Sequence, residues 1–172
     1  MNSPAPDWHA AAKTLRIDGR AVIAGQRRAA LSGQTFDSVS PLDGRTLGAV
    51  ARGQTADIDA AVASGRKAFD DNRWSGQAPA ARKKVLLRFA EKILAARNEL
   101  ALLETLDMGK PIRYSLAVDV GATARCIAWY AEAVDKVYDE IAPTSRSALA
   151  LIQREAMGVI GAIVPWNYPM IM

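Results

Sequence analysis

An α/β fold is what the sequence predicts, and three observations predict it. The run Val159-Ile160-Gly161-Ala162-Ile163-Val164 is almost continuously apolar and closes at Pro165. That is the pattern of a strand buried on both faces of a parallel sheet. Between residues 55 and 138, apolar side chains recur at steps of three and four, the period of helices with one packed face. Ahead of them, residues 15–50 fall into short extended pieces separated by turn residues. The chain of 172 residues, half of them hydrophobic, with 12 Gly and 8 Pro, has an ordinary globular composition. A compact domain of that length buries roughly 70% of its unfolded surface.

The elements follow in order. Residues 1–14 form a flexible leader. Leu15-Arg16-Ile17 and Ala21-Val22-Ile23 are extended pieces joined by the turn dipeptide Asp18-Gly19. Thr35-Phe36-Asp37-Ser38-Val39 and Thr46-Leu47-Gly48-Ala49-Val50 flank a second turn, Pro41-Leu42-Asp43-Gly44-Arg45. Together they suggest a small antiparallel arrangement. Thr55 is placed to cap a helix whose buried face carries Ile58, Ala61, Val62, Gly65, Ala68 and Phe69. Pro79 starts the next, where its missing N–H costs nothing, with Val85, Leu86, Phe89, Ile93 and Leu94 as its stripe. Asn98 stands at the head of a third helix, which Gly109 and Pro111 end. A long helix is expected from about Ser115 to Tyr138, with Val120, Ala124, Ile127, Ala131, Val134 and Tyr138 as its packing seam. Pro143 separates it from the alternating stretch Ala148–Ile152, and the central strand comes last. A parallel sheet needs further strands and crossover helices to cover it. With only eight residues after Val164, the chain reads as cut off inside a domain.

Charge and cysteine content exclude several functions. Net charge is +4, with 22 basic and 18 acidic residues largely interleaved. The longest basic run, Arg82-Lys83-Lys84, lies in a helix pattern and reads as a solvated face, so no nucleic-acid partner is expected. One cysteine, Cys126, permits no internal disulfide. It sits mid-helix near the apolar side, the place of an inert small hydrophobe. The first residues lack the basic start and apolar run of a signal peptide, and no segment approaches the roughly 20 apolar residues of a membrane span. No membrane association is expected, and the chain is placed in the cytoplasm.

Chemistry is expected where the last strand opens into the Pro-bracketed loop Pro165-Trp166-Asn167-Tyr168-Pro169. Ligands of open α/β sheets sit at the carboxyl ends of strands. Asn167 could there donate its side-chain amide to a developing oxyanion. It could equally do no more than turn the backbone before Tyr168-Pro169. Trp166 has core packing as its plain competitor, and Asp107 a helix-end cap.

The segment Gly161-Ala162-Ile163-Val164-Pro165-Trp166-Asn167-Tyr168-Pro169 resembles the signature that opens the cofactor-binding sheet of the aldehyde dehydrogenase superfamily. Three further motifs stand in the right order. They are residues 35–44, from Thr35 to Gly44, then Leu103-Glu104-Thr105-Leu106-Asp107-Met108-Gly109-Lys110-Pro111, and then Trp129-Tyr130-Ala131-Glu132. The match covers nearly all of this chain and about the first third of a family member. Asp107–Ile112 and Ala131–Tyr138 are most similar to the ω-amino-aldehyde enzymes, whose substrates include γ-glutamyl- and guanidino-substituted aminobutyraldehydes.

The resemblance implies a truncated aldehyde dehydrogenase-like fold. Residues 15–142 would be the N-terminal part of the cofactor-binding domain, 143–157 an oligomerisation-arm strand, and 158–172 the incomplete start of a Rossmann-like sheet. It implies Asn167 as the side-chain donor of the oxyanion hole, and Ile163, Val164, Pro165, Trp166 and Asn167 as the lining for NAD or NADP. Ser38, Val39 and Asp107 would surround a monovalent cation. The family reaction oxidises an aldehyde to its acid: a cysteine thiolate adds, hydride passes to NAD(P)+, and a glutamate-activated water hydrolyses the thioester. That cysteine and glutamate belong beyond these residues, so the isolated chain is expected to be inactive. The complete enzyme would take a small aldehyde and assemble as a homo-oligomer, a dimer or tetramer. The rival reading is a non-catalytic module that docks on a full-length family member. Ala24 where Asn is common, Ala156-Met157 for Pro-Val, and Tyr168 for Phe depart from the family pattern.

Overall fold

A computed structural model describes residues 6–172. The part of the expected leader that falls among them is a helix, α1 (Trp8–Thr14). Asp7 caps it by accepting the N–H groups of His9 and Ala10, each at 3.0 Å.

Two antiparallel pairs follow, and the first differs from expectation. Leu15–Ile17 is not a strand; β1 (Ala21–Ile23) pairs instead with β2 (Gln26–Arg28). The turn is Ala24-Gly25, with φ of 54° and 74°, both positive as this tight hairpin turn requires. Asp18 is occupied elsewhere, accepting from Arg20 at 2.7 Å and Arg27 at 2.8 Å. Gly19 lies against the second pair, and a Cβ there would collide with the Ala49 carbonyl oxygen. The Ala51 N–H donates to the Gly19 carbonyl at 2.8 Å. That second pair, β3 (Thr35–Val39) and β4 (Thr46–Ala51), forms as the alternation and turn signals predict. A bulge between Ser38 and Val39 ends its regular register.

Helix α2 (Thr55–Asp70) starts one residue earlier than the sequence suggests, with Gln54 at the cap. Buried Asp57 accepts the Gln54 N–H at 3.0 Å and the Leu31 N–H at 2.9 Å, joining the helix start to the chain before β3. These backbone donors hold the Asp57 carboxyl below the usual carboxylate range, against the opposing effect of burial. The expected apolar face of α2 is only partly covered: Ile58 and Val62 remain exposed, while Gly65, Ala68 and Phe69 are half-buried, Gly65 against Val159.

The core lies between α3 (Pro79–Ala95), α4 (Arg97–Met108) and a helical stretch over residues 112–133. Pro79 occupies the first turn of α3, as expected. The face of α3 that packs is Ala90 and Ile93; Val85, Phe89 and Leu94, assigned to its stripe from sequence, are about half exposed. The expected single long helix is α5 (Ile112–Tyr114), a π turn (Ser115–Asp119) and α6 (Val120–Ala133) in succession. At the π turn the Val120 N–H donates to Ser115, five residues back. Val120, Ala124 and Ala131 are buried, so the predicted seam holds. It ends early, at Ala133, where the Lys136 ammonium caps the Glu132 carbonyl at 2.6 Å. Tyr138 is exposed.

Strands β5 (Glu140–Ala142) and β6 (Ala150–Ile152) make an exposed antiparallel hairpin; only β6 lies in residues 143–157, the region read as an arm, and β5 precedes it. The largest correction concerns the central strand. Residues 158–165 are neither helix nor strand; they join no ladder, and Ile160 and Ile163 stand in the open. A strand acquires its backbone partners only from a neighbour, and the described residues provide none. The whole chain exposes 12837 Å², against about 8,000 Å² for a compact monomer of this mass.

Candidate functional site

Three sequence-distant pieces meet at the carboxyl end of α4. Gly109 closes that helix in the left-handed conformation, with φ of 80°. A Cβ on it would approach the Pro41 ring to 2.9 Å, so the β3–β4 turn can rest on the helix end only because residue 109 is glycine. Close packing there lets the Ser38 hydroxyl donate to Asp107 Oδ1 at 2.8 Å, across 69 residues of sequence. Ser38 and Asp107 are thus brought together as expected, and Val39 follows the bulge, half exposed. Asp107 is the sole carboxylate of this set. Among the described residues no three His, Cys, Asp or Glu side chains converge as metal ligands.

Past Gly109, Lys110 turns inward. Its ammonium donates to Asp119 Oδ2 at 2.6 Å and to Glu104 Oε1 at 3.3 Å. Both carboxylates are nearly sealed from solvent, each side chain only 3% exposed. Glu104 Oε2 has no partner among the described residues. Burial, reinforced by the Asp119 charge, pushes the Glu104 carboxyl up, and the bond from Lys110 only partly opposes this. Burial also works against the Lys110 charge, yet its bonds to Asp119 and Glu104 outweigh it and hold the ammonium above the ordinary lysine value. The π turn supplies half of this arrangement, since Ser115 and Asp119 both lie on its buried side. Thr105 and Ser115 share a hydroxyl bond of 3.1 Å, and Arg97 donates to the Leu116 carbonyl at 2.9 Å, fastening the turn to α4.

The third piece is the loop after Val164. Tyr168 lies over Lys110, its ring centroid 4.1 Å from Nζ. Pro169 and Met170 line a cavity of about 320 Å³ that also borders Ser38, Glu104 and Asp107. Met170 packs on the core, and the Met172 N–H donates to the Tyr168 carbonyl at 3.2 Å, one helical turn. The structure therefore sets the Asn167 loop beside the Ser38–Asp107 pair. Asn167 itself is exposed, with no hydrogen bond to its side chain among the described residues. Ile163, Val164, Pro165 and Trp166 run up to it as an open edge, Trp166 being 83% exposed. The core reading of Trp166 does not hold.

The aldehyde dehydrogenase family matches residues 28–172 of this chain. The chain belongs to the aldehyde dehydrogenase family. It is 49% identical over 165 residues to the NADP/NAD-dependent aldehyde dehydrogenase PuuC of Escherichia coli, covering 96% of this chain and 33% of PuuC. To the aminoacetaldehyde dehydrogenase of Pseudomonas aeruginosa it is 45% identical, covering 96% and 34%. Among solved structures, the γ-glutamyl-γ-aminobutyraldehyde dehydrogenase of Burkholderia cenocepacia superposes with a TM-score of 0.94 at 51% identity, covering 96% of this chain and 34% of that one. An indole-3-acetaldehyde dehydrogenase solved with NAD+ superposes with a TM-score of 0.94 at 53% identity, covering 96% and 33%. The chain spans about a third of the length of these relatives and corresponds to the N-terminal portion of the aldehyde dehydrogenase fold.

Sequence reasoning missed Lys110, Glu104 and Asp119 as a unit. A signal was present. Glu104 sits on the same face of α4 as Ala101, and Ser115, Asp119 and Thr123 make a four-residue polar step inside an otherwise apolar seam. Carboxylates at such positions require a buried partner.

Proposed function

We propose that this chain supplies the N-terminal part of an NAD(P)+-dependent aldehyde dehydrogenase that oxidises an ω-amino aldehyde to its carboxylic acid. The observation that carries the proposal is the exposed, unengaged amide of Asn167 on a loop anchored at both Tyr168 and Met170. An amide held there without an internal partner is free to donate to the oxyanion that forms when a thiolate adds to the aldehyde. Bound NAD(P)+ supplies the hydride acceptor. The open apolar edge Ile163–Trp166 suits the nicotinamide-ribose face, and Asn167 borders it. Ser38, Val39 and Asp107 offer a hydroxyl, a bulged backbone and a single carboxylate, an oxygen set suited to a monovalent cation and poor for a divalent one. The preference for an amino aldehyde rests on the likeness to the enzymes named above.

The test is Asn167→Ala in the complete gene product. Its kcat for aldehyde oxidation, followed by NADH formation, is expected to fall about 10²–10³-fold. An unchanged kcat would overturn the role of Asn167. The 172 residues alone, given NAD+ and an aminoaldehyde, are expected to form no NADH above blank.

The exposed β5–β6 hairpin, with Ile141, Leu149, Leu151 and Ile152 all open, favours a second reading in which the chain docks on a full-length family member through that hairpin. The homo-oligomer expected of the complete enzyme would use the same surface. Co-expression with an intact member followed by size-exclusion chromatography separates the two readings: co-elution supports docking, and separate elution removes it.

A further inference from the structure

We propose that Lys110 is the positioning residue of the Asn167 loop, holding it through the ring of Tyr168. An ammonium has three N–H donors. Asp119 and Glu104 take two of those on Lys110, which leaves one side of the cation without a carboxylate. The Tyr168 ring lies against the same ammonium, its centroid 4.1 Å from Nζ. A cation so enclosed, with its side chain only 12% exposed, has little water to compete with the ring for it. Lys110 cannot swing away either, because two buried carboxylates hold it from below and the Gly109 cap, pressed on Pro41, fixes the backbone from which it springs.

The consequence falls on the next residue back. Asn167 precedes Tyr168, so the ring that seals Lys110 sets the backbone from which the Asn167 amide projects. Met170, packed on the core, fixes the far end of the same turn. Ring and methionine together leave the loop two anchors, one on each side of Pro169. Lys110 reaches no substrate in this arrangement; it acts through Tyr168. The inference rests on the reading of Asn167 given above for its effect on catalysis, but the tether itself does not.

The test uses the complete gene product and two variants of one side chain. Tyr168→Phe keeps the ring, whereas Tyr168→Leu keeps apolar bulk and removes the ring face. Hydrogen–deuterium exchange at the amides of residues 166–168 is expected to rise about tenfold in Tyr168→Leu and to stay within about twofold in Tyr168→Phe. A side chain acting only through its hydroxyl would raise exchange in both variants alike. Lys110→Met is expected to match Tyr168→Leu; if it fails to fold, the tyrosine pair still decides. Equal exchange in wild type, Phe and Leu variants would overturn the tether, as would an equal rise in both variants. Catalysis is read separately, with kcat expected to fall in Tyr168→Leu while KM for NAD+ holds. Faster exchange with unchanged kcat would keep the tether and overturn the role of Asn167.

Discussion

Two apolar segments of this chain meet opposite fates. On α6, Val120 is fully buried; on the irregular segment after Gly158, Ile163 is fully exposed. Their hydrophobicity is comparable, so composition does not separate them. A helix closes its own backbone hydrogen bonds and then needs only one packed face, which α3 provides through Ala90 and Ile93. An extended segment needs a neighbour for its backbone as well as a cover for both faces. The lesson is that the helical layer finds its packing within these residues, while residues 158–165 find neither pairing nor cover among the described residues. Trp129 and Tyr130, stacked edge to face at 4.9 Å, are likewise largely exposed.

The strongest way to break this comparison is to attack the packed region through its buried charges. Asp119→Ala strips Lys110 of its shorter bond and is expected to cost about 3–5 kcal/mol in urea denaturation. Glu104→Gln, which removes a carboxylate already disfavoured by burial and by Asp119, is expected to cost less than about 1 kcal/mol. Equal losses would show the two carboxylates to be equivalent, against the geometry. The comparison sharpens with a matched apolar pair in the 172-residue chain. Val120→Ala is expected to cost about 2 kcal/mol and Ile163→Ala less than about 0.5 kcal/mol. Similar losses would mean that the irregular segment is packed after all.

The smallest expected effect concerns pH. Asp57 has its carboxyl pKa lowered by the Gln54 and Leu31 N–H groups, so its contribution is complete above the ordinary Asp value of about 3.9. It is lost as pH falls through the depressed value. Asp57→Asn is therefore expected to be less stable than wild type at neutral pH and to draw level with it in acid. A gap between the two that stays constant with pH would show that ionisation of Asp57 contributes nothing.

Local punctuation was legible in the sequence because its physics is local. Pro79 starts a helix, Gly109 ends one, and the turn at residues 41–45 pairs β3 with β4, all as read. Elements that depend on distant partners were not. The first hairpin was assigned to Asp18-Gly19 because nothing local reveals that Gly19 is committed to a close approach to Ala49. Ile58 and Val62 of α2 and the run ending at Pro165 were read as buried because hydrophobicity reports a demand for cover, not its delivery. At the site, Ser38 and Asp107 came from the resemblance and do meet. The Lys110 cluster went unread because a charged residue in an amphipathic pattern ordinarily faces water, and only three-dimensional convergence turns these inward.

The π turn at Ser115–Asp119 has a bearing on how this chain tolerates change in length. One surplus residue is stored there. Removing Ala117 would restore an ordinary ladder and leave the helices on either side nearly in phase, whereas a deletion in a regular helix, at 3.6 residues per turn, rotates one side by about 100° against the other. Ser115 would stay on the side facing Thr105, and Asp119 would keep its place at the head of α6. A one-codon loss is thus absorbed here, while the same loss early in α3 would turn its Ala90–Ile93 face away from α6.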